Sequence, residues 1–492
     1  MKIFRYITVV ACACFSFLSV NAQEQSTENT ILTTQQAIDK FMSAPSLRNG
    51  SVGVSVMSID SMKTIGDSNA LQSQITASTM KTVTSSVALN LLGKDFKFHT
   101  KVFVDGKINK NGKIEGDLIV KGGGDPTLDS RYMPQFPSFI ESIVLKLKEM
   151  GIDEIKGNII ADESAYPMPY ARATWMVDDL CYGYGASIHA LNFADNTLKL
   201  NVEIDKDKFN CYTDQTQSYL KVQNHCNVID EETDSISIDG IDMRLNVEDD
   251  ILHLMGNIKA WKGKLTIANP SPDLLLRDSM EVALNNAGIK VKHKNIEQDE
   301  KGSTTLLLDY TSPELIEIVK SLLERSDNMY TECLLRAIAA NSGKAPTAYN
   351  GVSIVKDFWK ERGLDVEGLF MSDGSGLSRT NKAPVSFFTH MLSVAYKELQ
   401  SKGINFNELF PVAGTSGTVR SLTSKTPAAG KFALKSGSMS HVQCYVGYYP
   451  AQAPKYTVGV LVNSFTCPRS ELQKMISEML VGIDAALSDE KQ

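Results

Sequence analysis

Ala77-Ser78-Thr79-Met80-Lys81, continued by Thr82-Val83-Thr84-Ser85-Ser86-Val87-Ala88-Leu89-Asn90-Leu91-Leu92, is the stretch whose reading decides the fold. Val83, Val87, Leu91 and Leu92 recur at helical spacing, which predicts a core helix over 79–92 with Ser78 at its N-terminal end. A serine hydroxyl is a poor nucleophile until a base takes its proton, and a lysine held neutral by burial can be that base. Three residues apart, Ser78 and Lys81 share one face of the helix, and the positive potential of its N-terminus favours the neutral amine.

The spacing alone is weak, because Ser-x-x-Lys recurs at Ser218, Ser353 and Ser488. Two further motifs single out Ser78. Beyond residue 22, Ser326-Asp327-Asn328 is the sole Ser-x-Asn and Lys435-Ser436-Gly437 the sole Lys-[Ser/Thr]-Gly; in this order the three motifs form the signature of the penicillin-recognising serine enzymes. Each supplies a chemical part. Lys435 offers positive charge to a substrate carboxylate and Ser436 a hydroxyl to the same group, while Gly437 lets the backbone approach without a side chain between. The N–H groups of Ser78 and Ser438 are expected to form an oxyanion hole, Ser326 to pass a proton to the leaving amine, and Asn328 to bond the substrate amide.

The chain resembles the class C low-molecular-mass penicillin-binding proteins, the D-alanyl-D-alanine carboxypeptidase and endopeptidase family. The resemblance runs through the three motifs and through Gly122-Gly123-Gly124-Asp125-Pro126-Thr127-Leu128, Ser312-Pro313-Glu314-Leu315 and Asp373-Gly374-Ser375-Gly376-Leu377-Ser378-Arg379. The gap of about 250 residues between Ser78 and Ser326 matches that family's large insertion. The resemblance implies an α+β fold, a penicillin-binding domain with a five-stranded antiparallel sheet flanked by helices and interrupted by inserted β-rich domains. It implies hydrolysis of D-alanyl bonds in peptidoglycan stem peptides through an acyl-enzyme, β-lactams as inhibitors, and no cofactor or metal. In members acting on diaminopimelate peptides an inserted-domain Asp and an Arg hold the charged end of that side chain; the matching positions look like Asp162 and Arg379, with Tyr166 packing on the methylene stem. Ser436 stands where the family usually has Thr, a change that keeps the hydroxyl.

Texture along the chain suggests the division. Residues 1–22 read as a secretory signal, with Lys2 and Arg5 before an apolar run and small residues up to Ala22. Residues 23–95 read as a first catalytic part, 96–267 as inserted domains with a nested β-rich subdomain at about 195–256, and 268–492 as the second catalytic part. Periplasmic export is the expectation, free or envelope-associated; beyond the leader no stretch reaches the roughly 20 apolar residues of a membrane span. The net charge of −7 becomes about −9 without the leader, and with no basic patch this speaks against a nucleic-acid partner. Six cysteines follow the leader, and Cys211 with Cys226 is the easiest pair to bridge, free thiols being the equal alternative.

His225 beside Cys226 lacks the spacing of a metal site, Gly122 to Gly124 lacks the Lys of a phosphate loop, and no Gly-x-Ser-x-Gly elbow accompanies the seven histidines. The competing readings are a serine β-lactamase, against which the long insertion argues, and a catalytically silent peptidoglycan-binding scaffold, against which the complete motifs argue.

Overall fold

Residues 51–58 alternate Val52, Val54 and Val56 with Gly53 and Ser55, and that alternation sets the layers of the catalytic part. The computed structural model describes residues 32–167, 171–229, 240–246, 249–293 and 303–489. The leader expected over 1–22 lies outside them.

Strand Ser51–Ser58 belongs to a five-stranded antiparallel sheet in the order Ala433–Met439, Val442–Tyr449, Tyr456–Asn463, Ser51–Ser58, Thr64–Ser68. Its valines pack with Ile38, Phe41, Leu472, Ile476 and Leu480 of helices Thr34–Met42 and Arg469–Asp489. The opposite face carries small residues because helix Val385–Ser401 lies close. A Cβ on Gly459 would come within 2.5 Å of the Val385 side chain, and Ser55 Oγ meets Thr389 Oγ1 at 3.1 Å.

Behind that helix, Met80–Leu92, Leu315–Arg325, Asn328–Asn341 and Ala348–Glu361 complete a second core. From Met80 to Leu89 helix Met80–Leu92 is enclosed on every side, Thr82, Thr84, Ser85 and Ser86 included, while Leu91 near its C-terminus is exposed. A short 3₁₀ turn, Ala77–Thr79, precedes it and carries Ser78.

Among the described residues the intervening chain builds four more sheets, one of them the two-stranded pair Asp125–Leu128 with Leu191–Phe193. The largest runs Lys290–Val291, Glu154–Ile155, Lys113–Lys121, His99–Asn109, Thr304–Thr311, with Ile159–Asp162 also beside Lys113–Lys121. Two three-stranded sheets follow, Lys208–Thr213 with Thr197–Asp205 and Trp261–Ala268, and Lys221–Val228 with Ile251–Ile258 and Asp242–Asn246.

One boundary differs from expectation. Helix Pro272–Asn286 and strand Thr304–Thr311 bury Leu275, Leu276, Met280, Leu284 and Leu307 in the inserted core, so the chain re-enters the catalytic part near Ser312, not at 268. A helical period shows that one face is covered but not which sheet covers it. Among the described residues all six cysteines are free, Cys211 and Cys226 standing on different sheets, and no helix is long and apolar enough to cross a membrane.

Candidate active site

The Lys81 side chain, on helix Met80–Leu92, is fully buried, and its Nζ lies 2.9 Å from Ser78 Oγ, 2.5 Å from Asn328 Oδ1 and 2.6 Å from the Ser375 carbonyl. The last two partners only accept. Asn328 is held in that sense because its Nδ2 donates to the Tyr184 carbonyl at 2.7 Å. A neutral Lys81 therefore gives both N–H bonds to Asn328 and Ser375 and turns its lone pair to the Ser78 hydroxyl. Burial lowers its pKa from 10.5 to about 8, against the opposing pull of Asp373, Asp327 and Glu332.

Ser326 owes its position to the join between two helices. It closes helix Leu315–Arg325 in the left-handed conformation, with φ 65° and ψ 43°, while Asp327 caps helix Asn328–Asn341 by accepting from Tyr330 N at 3.0 Å. The motif is thus a C-cap, an N-cap and a first helical residue, and the sharp turn presents Ser326 and Asn328 to the cleft.

Lys435 stands on the edge strand Ala433–Met439, fully buried, with Nζ 2.8 Å from Ser326 Oγ. Burial and the nearby Lys81 push its pKa well below the usual lysine range. Ser436 Oγ bonds Thr418 Oγ1 at 2.7 Å. At Gly437 a Cβ would come within 2.7 Å of the Thr76 carbonyl and 3.0 Å of Ser78 N, so only glycine lets this strand lie against the serine turn. Ser438 is fixed from outside: Arg469 donates to its Oγ at 2.5 Å and to the Met439 carbonyl at 2.6 Å.

A buried acidic frame supports the floor. Asp373 accepts from Gly376 N, Ser378 N and Asn381 Nδ2, each at 2.7 Å, and from Trp175 Nε1 at 2.9 Å. Glu332 accepts from Gly374 N and Ser375 N at 2.8 Å and faces buried Arg336 at 3.6 Å. Together they shape the loop that aims the Ser375 carbonyl at Lys81 and carries Arg379. Gly376, at φ 81°, has no room for a Cβ, which would fall 1.9 Å from the Ala77 carbonyl.

The cleft in front of Ser78 encloses about 410 Å³ and is lined by Ser326, Asn328, Arg379, Ser438, Asp179 and Tyr184 among others. Two of the expected residues stand apart from this lining. Asp162 is not among the lining residues; it ends strand Ile159–Asp162, accepts from Ser164 N at 2.9 Å and faces Lys121 at 3.9 Å. Tyr166 is buried against Gly124 and near Arg336 and is likewise not among the lining residues. The inserted part sends Asp179 and Tyr184 into the cleft instead, the Tyr184 hydroxyl donating to Asp179 at 3.0 Å. Both sit in short 3₁₀ turns, Val177–Cys181 and Gly183–Gly185, where no periodicity marks a side chain's direction. Asp373, Glu332 and Arg469 also escape sequence reasoning; only Asp373 lay in a quoted motif.

Fold and site together define a serine hydrolase of the penicillin-binding type. The chain belongs to the D-Ala-D-Ala carboxypeptidase 3 (S13) family, whose model matches residues 34–486, and is a serine-type D-alanyl-D-alanine carboxypeptidase. It is similar to the D-alanyl-D-alanine carboxypeptidase DacB of Haemophilus influenzae, 25% identical over 84% of this chain and 86% of that one. It is also similar to the D-alanyl-D-alanine carboxypeptidase of Actinomadura sp. strain R39, 24% identical over 88% and 81%. The crystal structure of penicillin binding protein 4 from Haemophilus influenzae superposes with a TM-score of 0.78 at 24% identity, covering 92% of this chain and 99% of that one. The same protein complexed with a β-lactam gives 0.74.

Proposed function

We propose that Ser78 is the nucleophile and Lys81 the base, acting on the penultimate D-alanyl carbonyl of peptidoglycan stem peptides in the periplasm. The observation that carries this reading is the buried Lys81 amine facing Ser78 Oγ, with its other two contacts both acceptors. Ser78 Oγ attacks the carbonyl carbon as Lys81 takes its proton, and the N–H groups of Ser78 and Ser438 receive the oxyanion. The proton then passes through the Ser326 hydroxyl to the departing nitrogen, the C–N bond breaks, and water hydrolyses the ester by the reverse relay. Lys435, with Ser436, anchors the carboxylate of the leaving residue. Because that carboxylate opposes the forces depressing the Lys435 pKa, binding draws a proton onto Lys435.

Only neutral Lys81 can accept the serine proton. The rate constant for acylation is therefore expected to rise about tenfold per pH unit below about 8 and to level above it. Stopped-flow acylation by a chromogenic β-lactam from pH 6 to 10 reads this directly, and a break near 6.5 would point to histidine instead.

For the donor strand, Arg379 and Asp179 offer opposite charges to the ammonium and carboxylate at the end of a diaminopimelate side chain. Asp179→Asn is expected to lower kcat/KM about tenfold on a diaminopimelate pentapeptide. It should leave an otherwise identical peptide with an uncharged third side chain within twofold. Equal losses on both peptides would remove Asp179 from this role.

The reading as a whole is tested by D-alanine release from a peptide ending in D-Ala-D-Ala. Wild type should release it and Ser78→Ala should not; β-lactams block the reaction by acylating the same serine. Cross-link cleavage at a D-alanyl-diaminopimelate bond uses the same steps with a larger amine leaving.

A further inference from the structure

Strand Ala433–Met439 stands at the edge of its sheet, with Val442–Tyr449 as its one neighbour in the sheet order. At its first residues the outer side is held: Ala433 bridges Val412, and Leu434 N donates to the Pro411 carbonyl at 2.9 Å. Backbone groups alternate in direction along an antiparallel pair, so the N–H groups of Ser436 and Ser438 point outward like that of Leu434. Gly437 packs too closely against the Ser78 turn to carry a Cβ, and Ser78 and Ser438 line the same cleft, which places the Ser438 N–H beside the nucleophile.

At this end of the strand a side chain takes over the holding. The Ser438 hydroxyl accepts from Arg469 Nη1 at 2.5 Å and donates to Gln443 Oε1 at 3.3 Å, so both its roles are filled from within the protein. Arg469 Nη2 donates to the Met439 carbonyl at 2.6 Å. A charged group thus spends two charge-assisted bonds on neutral oxygens of adjacent residues, where a carboxylate would be its usual partner. Arg469 opens helix Arg469–Asp489, whose Leu472, Ile476 and Leu480 are buried with the valines of Ser51–Ser58. Its guanidinium ties the end of the edge strand to the packed layer beneath the sheet.

We propose that Arg469 is a positioning residue of the oxyanion hole: it fixes the end of strand Ala433–Met439 at the separation from the Ser78 turn at which the Ser438 N–H meets the oxyanion. The proposal rests on the acyl-enzyme reading above. An oxyanion donor stabilises the transition state only when it is aimed before charge develops, so Arg469 acts on the rate of the chemical steps without touching the substrate.

The experiment compares wild type with Arg469→Met, which keeps an apolar stem and loses both donors, and with Arg469→Lys, which keeps a cation able to make one of the bonds. Each is assayed on a peptide ending in D-Ala-D-Ala, and the carbonyl stretch of its penicillin acyl-enzyme is recorded by infrared difference spectroscopy. Arg469→Met is expected to lower kcat about ten- to thirtyfold with KM within twofold, a smaller loss than the roughly hundredfold or greater one of deleting an oxyanion donor. Its acyl carbonyl should move to higher frequency as the hydrogen bond from Ser438 weakens, and Arg469→Lys should recover part of both effects. A raised KM at unchanged kcat would make Arg469 a substrate anchor, and lost activity at unchanged carbonyl frequency would make it structural only; either result overturns the proposal. Wild type that forms no acyl group on Ser78 would instead remove the reading on which it rests.

Discussion

Lys81→Met is expected to lower acylation by penicillin and D-alanine release by about 10³- to 10⁴-fold, the upper range for removing a general base. That factor corresponds to about 4–5.5 kcal/mol of transition-state stabilisation. The chain should nonetheless fold. Methionine fills nearly the same buried volume, and the substitution removes a group whose charged form is costly in this site. Thermal unfolding at pH 7 should thus be unchanged or raised in temperature, while activity collapses. A variant that lost activity and folding together would show that Lys81 is a structural lysine. Because methionine cannot titrate, its residual activity should also lack the rise towards pH 8.

Asp373→Ala should act in the opposite way, through stability first. The substitution leaves Gly376 N, Ser378 N, Asn381 Nδ2 and Trp175 Nε1 without their acceptor in a buried loop. Orphaned buried donors of this kind cost about 1–3 kcal/mol each, and partial rearrangement brings the expected total to about 3–5 kcal/mol. The loop presents the Ser375 carbonyl to Lys81 and Arg379 to the cleft, so residual activity should fall at least tenfold even where the chain is folded. Asp373→Asn, which keeps one acceptor oxygen, should recover part of both. Urea unfolding followed by intrinsic fluorescence measures the first effect, with Trp175 as a local reporter; equal stability of wild type and Asp373→Ala would contradict this account of the loop.

The proposed catalytic residues were legible because three short motifs had few competitors, and because the polar residues in them cannot be exchanged without losing a chemical part. Ser326-Asp327-Asn328 carries an additional, purely conformational message. A left-handed C-cap followed by an Asp N-cap is how two consecutive helices turn sharply, so the C-cap Ser326 is also the residue proposed as the proton relay. The α+β architecture followed from the resemblance that those motifs carry, and the alternation over 51–58 and the helical periods on either side agree with it.

Two things were not legible. Asp162 was named through the resemblance and ends a regular strand outside the cleft lining, whereas Asp179, which we propose for that role, sits in a 3₁₀ turn that leaves no pattern to follow. Helix Pro272–Asn286 has the period of any core helix, and only its partners, Ile159 and Leu191 among the inserted core, assign it to that part of the molecule. In both cases local sequence specified the element, and long-range packing decided where it went.

The serine itself offers the most direct test. The purified protein is incubated with penicillin, the intact mass is recorded, and the adduct is mapped by proteolysis and mass spectrometry. The account predicts one stoichiometric acyl group on Ser78, absent from Ser78→Ala and formed far more slowly in Lys81→Met. An adduct on another residue, or undiminished labelling of Ser78→Ala, would contradict it.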